Sequence, residues 1–359
     1  MSVAVKCQWI DAVKGCAMLG IVAIHVAQSV SGMPSTSLFV LSFGSMGVQL
    51  FYMISAFTTC VTYHRNPEVR WWKFMLHRYG RLAPIYWLGI VLYGLWAYAA
   101  EIYGWPEICC SSTYTIINIV VNVALVNTFS ITAQNSIVPG GWSISCIAVF
   151  CMVFPWLYRL MQKKKYDILS GILLCLFGLM CAMYFTSHVS DLFAYFSIIN
   201  QLIVFVIGMF MFFHPTWMVK YAQKRCFTLL CSMVFGVLCL ATVMKTVGAS
   251  YLYKHIIVAF CFIPLISVFQ KIEGCIPPFL LSFGQKSYTI FICHFIFAWG
   301  MCRYIDQQFN MVSPYLRFLV YYGLTLVCSY FFALMIERYY AAPISKIWQR
   351  WLIKKFLGD

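Results

Sequence analysis

A histidine eleven residues after a lysine, inside an otherwise apolar run, is the first arrangement here that suggests chemistry: Lys14 and His25. Eleven steps of about 100° return to nearly the same helix face and rise roughly 16 Å. That is about half the hydrocarbon thickness of a bilayer. A spanning helix would thus hold Lys14 near the inner surface and His25 near mid-membrane. Asp11, one turn before Lys14, is spaced to pair with it. The pattern suits a long ligand with its anionic end at Lys14 and its reactive end at His25. The plainer alternative is a core histidine bonded to a neighbouring helix, but ionisable groups inside a span are costly and point to function.

A second cluster is His77-Arg78-Tyr79-Gly80-Arg81. Arg78 and Arg81 are three apart, so both guanidinium groups can face one side and grip phosphate oxygens. A positive anchor on lipid headgroups explains the same residues. The third group is Ser287, Tyr288 and His294, with His294 one heptad after Ser287 and about 10 Å further along a helix. This second imidazole either orients the first or bonds a backbone carbonyl. His64, His188, His214 and His255 lie at span ends or in loops. No HExxH, GxSxG or phosphate-loop pattern occurs, and no metal site is expected.

The elements that must carry these residues are membrane helices. Of 359 residues 62% are hydrophobic and 10% charged, and mean hydropathy is +0.82; a soluble domain is about a quarter charged. The net charge of +15 would suggest nucleic acid in a soluble protein. Here the basic residues alternate with apolar runs, which is the positive-inside pattern. The seventeen cysteines are scattered through apolar runs and read as small buried hydrophobes, with Cys109 and Cys110 in an outer loop.

A span needs roughly 20 mostly apolar residues. Ten candidates follow: 12–30, 38–62, 82–100, 142–160, 168–185, 192–213, 229–244, 256–269, 288–302 and 316–336. The stretch 116–129 is shorter, carries Asn118, Asn122 and Asn127, and reads as a re-entrant or interfacial helix. With both termini in the cytoplasm, 21 of the 25 Lys and Arg fall on the inner side, leaving Lys245, Lys254, Arg303 and Arg317 outside. An eleventh crossing at 116–129 would destroy that asymmetry. Apart from Asp11, no carboxylate is expected deep in a span, which argues against an ion-coupled transporter. The expectation is an all-α polytopic protein with one membrane domain over 1–359 and no soluble domain.

At these residues the chain resembles the acyltransferase type 3 family of membrane enzymes, which includes O-antigen and exopolysaccharide O-acetyltransferases. Trp9-Ile10-Asp11-Ala12-Val13-Lys14-Gly15 leading to His25 is similar to its basic-x10-His opening. Phe43-Gly44 through Phe51 and Ser55-Ala56-Phe57 resemble its Gly/Phe-rich second span. His77 to Trp87 resembles its Arg-x-x-Arg segment. Trp142-Ser143-Ile144-Ser145 with Pro155, Phe283 to Tyr288 with His294, and Ile336-Glu337-Arg338 complete the order. The chain departs from the family at Ile147, where Trp-Ser-x-Ser is commonly followed by x-Glu, and at Pro343, which stands later than usual after Glu337.

The resemblance implies acyl-CoA, most often acetyl-CoA, as co-substrate with no resident cofactor, and a carbohydrate hydroxyl such as one of lipopolysaccharide O-antigen as acceptor. It implies a bacterial inner membrane, His25 at the catalytic centre, and Lys14, Arg78 and Arg81 near the donor. His25 would then serve as general base or as acyl relay, with Ser143, Ser145 or Tyr288 as oxyanion donors. A transporter or flippase of a lipid-linked glycan is the rival reading. It would use the same polar interior and release no coenzyme A.

Overall fold

The computed structural model describes residues 7–163, 167–215, 254–308 and 313–356, and among these every regular element is helical. Among the described residues seven helices are long and apolar enough to cross a membrane. They are α1 (Gln8–Ala27), α2 (Ser35–His64), α3 (Trp71–Tyr103), α5 (Gly141–Gln162), α7 (Leu192–Phe213), α10 (Ser287–Gln308) and α11 (Pro314–Trp351). Between them lie α4 (Ile116–Val123), α6 (Asp167–His188), α8 (Lys254–Lys271) and α9 (Pro278–Gln285). The chain is thus a multi-pass membrane protein.

The expected count of ten is met only in part. Expected spans 168–185 and 256–269 coincide with the shorter apolar stretches Gly171–Phe185 and His255–Lys271. Expected span 229–244 lies outside the described residues. Other boundaries moved because hydropathy marks only the apolar middle of a helix. α3 begins eleven residues before the expected 82 and runs through Pro84, so Arg78 and Arg81 are inside the helix rather than ahead of it. α10 continues past 302 to Gln308 through a π-helical segment, Ile296–Met301. α4 has only 8 residues, about 12 Å of rise and too short to cross. Its Asn118 and Asn122 are buried while Ile116 and Ile117 face outward.

The chain divides into two compact units, one of residues 1–21, 42–68 and 153–285, the other of 22–41, 69–152 and 286–359. The first unit is sewn by glycines, as expected where helices pack without a hydrophobic drive between them. A Cβ on Gly44 would meet the Gly20 carbonyl oxygen at 2.1 Å, one on Gly208 the Met53 oxygen at 2.3 Å, and one on Gly284 the Asp11 oxygen at 1.7 Å. Backbone therefore touches backbone where α1 meets α2 and α9, and where α2 meets α7. Between α2 and α7, Gln49 Nε2 donates to Tyr195 Oη at 3.2 Å and to Gln201 Oε1 at 3.1 Å.

In the second unit α3 packs on α10. Tyr93 Oη donates to the Ile292 carbonyl at 2.6 Å, and Gly89 leaves room for the Ile292 methyl, which a Cβ would meet at 2.8 Å. Two tyrosine hydroxyls hold carbonyls around Pro84, Tyr288 on Leu82 at 2.6 Å and Tyr340 on Pro84 at 3.1 Å. A proline inside a helix removes a ladder bond and bends it. These contacts fix the register of the helix that carries His294.

The glycine seams give an expected outcome that opposes helix propensity. Gly284→Ala should lower the thermal midpoint of the purified protein, because overpacking costs about 1–3 kcal/mol. Gly323→Ala, with nothing within 4 Å of its Cβ, should leave it unchanged or raise it, since alanine favours helix by about 1 kcal/mol. Equal midpoints for the two variants would contradict the close packing of α9 on α1.

Candidate functional site

His25 lies in the last turn of α1. The helix ends just beyond it at Ala27, and the chain turns through Gly32, at φ +73°. His25 Nδ1 faces Gln28 Oε1 at 3.0 Å. An amide oxygen only accepts, so Nδ1 carries the proton and the neutral ring presents Nε2 with its lone pair free.

Around His25 stand three rings from one stretch of α10. Phe295 is 4.3 Å away between centroids, His294 5.4 Å and Trp299 5.4 Å, the last edge-on. His294 is fully buried. Its Nδ1 lies 2.8 Å from the Phe291 carbonyl oxygen, so this ring too has its proton on Nδ1 and its lone pair on Nε2. Among the described residues neither His294 Nε2 nor Trp299 Nε1 has a hydrogen-bond partner, although both atoms are buried. Burying a polar atom unpaired costs about 1–3 kcal/mol, and two such atoms lie beside the partly accessible imidazole of His25. The π-helical segment 296–301 adds a residue to the turn and sets the direction of Trp299.

The turn after α1 is held from outside the helix. Arg317 and Asp306 form an ion pair, both nearly inaccessible. Asp306 Oδ2 accepts from the Ser31 backbone N–H at 2.8 Å, while Arg317 donates to the Ser31 carbonyl at 2.7 Å and to its hydroxyl at 3.0 Å. Asp306 is buried in α10, whose length the hydropathy pattern cut short at 302, and its charge is matched by Arg317.

The other expected residues are dispersed. Lys14 is 3.8 Å from Asp11 in the first unit, as the spacing suggested. Arg78 and Arg81 lie on α3 in the second, with the Arg78 guanidinium over the Phe74 ring at 5.4 Å. The hydroxyls named as oxyanion donors are engaged by backbone: Ser143 donates to the Gly140 carbonyl at 2.8 Å, Ser145 to that of Leu125 at 3.0 Å, Tyr288 to that of Leu82. Ser145 also accepts from the Thr128 N–H at 3.0 Å, pinning a turn in which Leu125 has φ +58°. Trp142 and Ser287 are buried. The sequence reading missed Gln28, Trp299, Arg303, Asp306 and Arg317. A count of charge within a longer ninth span would have found Arg303 and Asp306; Arg317 lies on α11.

Among the described residues no group of three or more His, Cys, Asp or Glu is placed to hold a metal ion. Cys109 and Cys110 are free thiols. Burial pushes the Cys109 thiol up to about 11, which leaves it protonated and unreactive at neutral pH.

The family model described as an acyltransferase domain, acyltransferase 3, matches residues 8–334, across both units. None of the curated proteins compared and none of the solved structures compared gives a significant match.

The clamp on Ser31 has a measurable signature. Asp306→Leu leaves Arg317 buried without its counter-charge and should cost about 3–5 kcal/mol, seen as a lower thermal midpoint. The double variant Asp306→Leu/Arg317→Met removes both charges and should recover much of that loss. A double variant as unstable as the single one would show that the pair does not act as a unit.

Proposed function

Because the chain belongs to the acyltransferase type 3 family, we propose that it is a membrane-bound O-acyltransferase that moves an acyl group, most simply acetyl, from cytoplasmic acyl-CoA to a hydroxyl of a cell-surface or lipid-linked carbohydrate. In this reading it resides in a bacterial inner membrane with both termini in the cytoplasm. The observation that supports the reaction is the contact of His25 Nδ1 with Gln28 Oε1, from which the tautomer is assigned. With Nδ1–H bonded to Gln28, Nε2 is a base aimed away from its own helix turn.

The acceptor hydroxyl gives its proton to His25 Nε2 as its oxygen attacks the thioester carbon. The tetrahedral intermediate collapses by breaking the carbon–sulfur bond, and the coenzyme A thiolate takes the proton from the imidazolium. An ester and coenzyme A result, and His25 is again neutral. The developing oxyanion needs a donor in a water-poor setting. Trp299 Nε1 is buried, unpartnered and beside His25, whereas the hydroxyls of Ser143, Ser145 and Tyr288 are spent on carbonyls. His294 Nε2 accepts a hydrogen bond from a neighbouring hydroxyl of the acceptor and so orients it. In the relay form, His25 Nε2 attacks the thioester first, the carbon–sulfur bond breaks to release coenzyme A thiolate, and the acyl-imidazolium passes its acyl group to the hydroxyl, whose proton goes to the thiolate.

Arg78 and Arg81, one turn apart on α3, are the proposed phosphate ligands of coenzyme A, joined by Lys14 on the strength of the sequence pattern alone. Supporting roles fall to Asp11, which pairs with Lys14, to Tyr288, which braces α3, and to Trp142, Ser143, Ser145 and Ser287 as buried scaffold.

The test is coenzyme A release from acetyl-CoA by purified protein, with O-acetyl content of the host surface glycan measured at matched membrane levels. His25→Ala should lower both by about 10²–10⁴-fold. If wild type and variant release none and leave acetylation unchanged, the enzyme reading fails in favour of a transporter.

A further inference from the structure

Three partly or fully buried cations in the described parts of this protein pair with carboxylates. Arg317 has Asp306, Lys286 has Glu337 at 3.9 Å, and Lys14 has Asp11. Arg303 is different. It lies within α10, it is half-buried, and among the described residues no carboxylate is within ion-pair distance. Its one hydrogen bond runs from Nη1 to the Glu107 carbonyl at 3.2 Å. Asp306, one turn further along the same helix, is already taken by Arg317.

The guanidinium lies over the indole of Trp299 at 4.9 Å. Trp299 in turn is 5.4 Å from the His25 ring, so guanidinium and imidazole are at most about 10 Å apart. A cation–π contact holds the guanidinium plane in place but leaves most of its five N–H donors unused. Exposed aromatic surface adjoins this place. Gly300 packs so closely on Trp96 that a Cβ would meet the ring at 2.4 Å. Trp96 is 5.1 Å from Trp105, whose indole is open to its surroundings.

We infer that Arg303, Trp299 and the adjoining Trp105 surface form the acceptor subsite, and that the acceptor is a sugar bearing an anionic group, phosphate or carboxylate, bound by Arg303 while a hydroxyl of the same sugar reaches His25. The inference rests on the proposed acyltransferase reading for its use of His25. A fixed planar guanidinium without a counter-ion recognises an oxyanion through two parallel bonds. Apolar ring faces suit the C–H face of a pyranose, and the separation from Arg303 to His25 is spanned by one monosaccharide with its substituent.

The experiment measures binding without acyl-CoA, so its outcome is independent of catalysis. Full-length protein in lipid nanodiscs is titrated with glucose 1-phosphate, methyl glucuronide, methyl glucoside and inorganic phosphate, using tryptophan fluorescence and calorimetry. The expected result is that a charged sugar binds at least about tenfold tighter than methyl glucoside, with Arg303→Gln abolishing the difference. Arg303→Lys, which keeps the charge but loses the fork, should retain part of it and serves if the glutamine variant does not fold. No preference in wild type, or a preference that survives Arg303→Gln, overturns the subsite. Inorganic phosphate binding as tightly as glucose 1-phosphate overturns the carbohydrate assignment and leaves a plain phosphate or headgroup site. Coenzyme A release with no charge preference refutes the subsite alone, and a preference without release refutes only the acyltransferase reading.

Discussion

A backbone carbonyl that leaves its helical ladder inside a membrane has no water to bond, and most of the irregular features of this protein are answers to that constraint. Pro84 takes the ladder donor from the Gly80 carbonyl, and around it Tyr288 and Tyr340 donate to the carbonyls of Leu82 and Pro84. Where the chain takes a left-handed turn at Leu125, Ser145 donates to that carbonyl. Where α1 stops after His25, Arg317 takes the carbonyl of Ser31 and Asp306 its N–H. Each of these bonds comes from a helix outside the segment it holds, so each also ties that segment to another element.

The same economy shapes the site. Nδ1 of His294 is spent on a carbonyl of its own helix and Nδ1 of His25 on an amide oxygen one turn away. A neutral imidazole has one proton, so anchoring it fixes the lone pair on the opposite nitrogen. Two rings held in this way are preorganised acceptors of protons or hydrogen bonds, with no reorganisation needed at the moment of reaction. The unpartnered indole N–H of Trp299 supplies the complementary donor. In the proposed reading, base and donor thus come from α1 and from the π-helical stretch of α10.

Much of this was legible in the sequence, for identifiable reasons. A solvent of lipid writes itself into composition, so the all-helical membrane class and most of the spans followed from hydropathy. The pairing of Lys14 with Asp11 followed from a spacing within one helix. The roles of Ser143, Ser145 and Tyr288 were not legible, because a hydroxyl near a motif looks the same whether it faces a ligand or a carbonyl. Arg303 and Arg317 looked alike as two basic residues on one side of the membrane, yet one is matched by Asp306 and the other lies on Trp299 without a carboxylate.

By itself the sequence determined what depends on local spacing and on the average chemistry of a segment: helices, their approximate places, the family, and which imidazoles fall in apolar surroundings. Only the tertiary structure decided which polar atoms meet. A hydrogen bond is made or lost within a few tenths of an ångström. Nothing in one helix's sequence fixes that distance to another until glycine contacts, a proline bend and a buried ion pair have set how the helices pack.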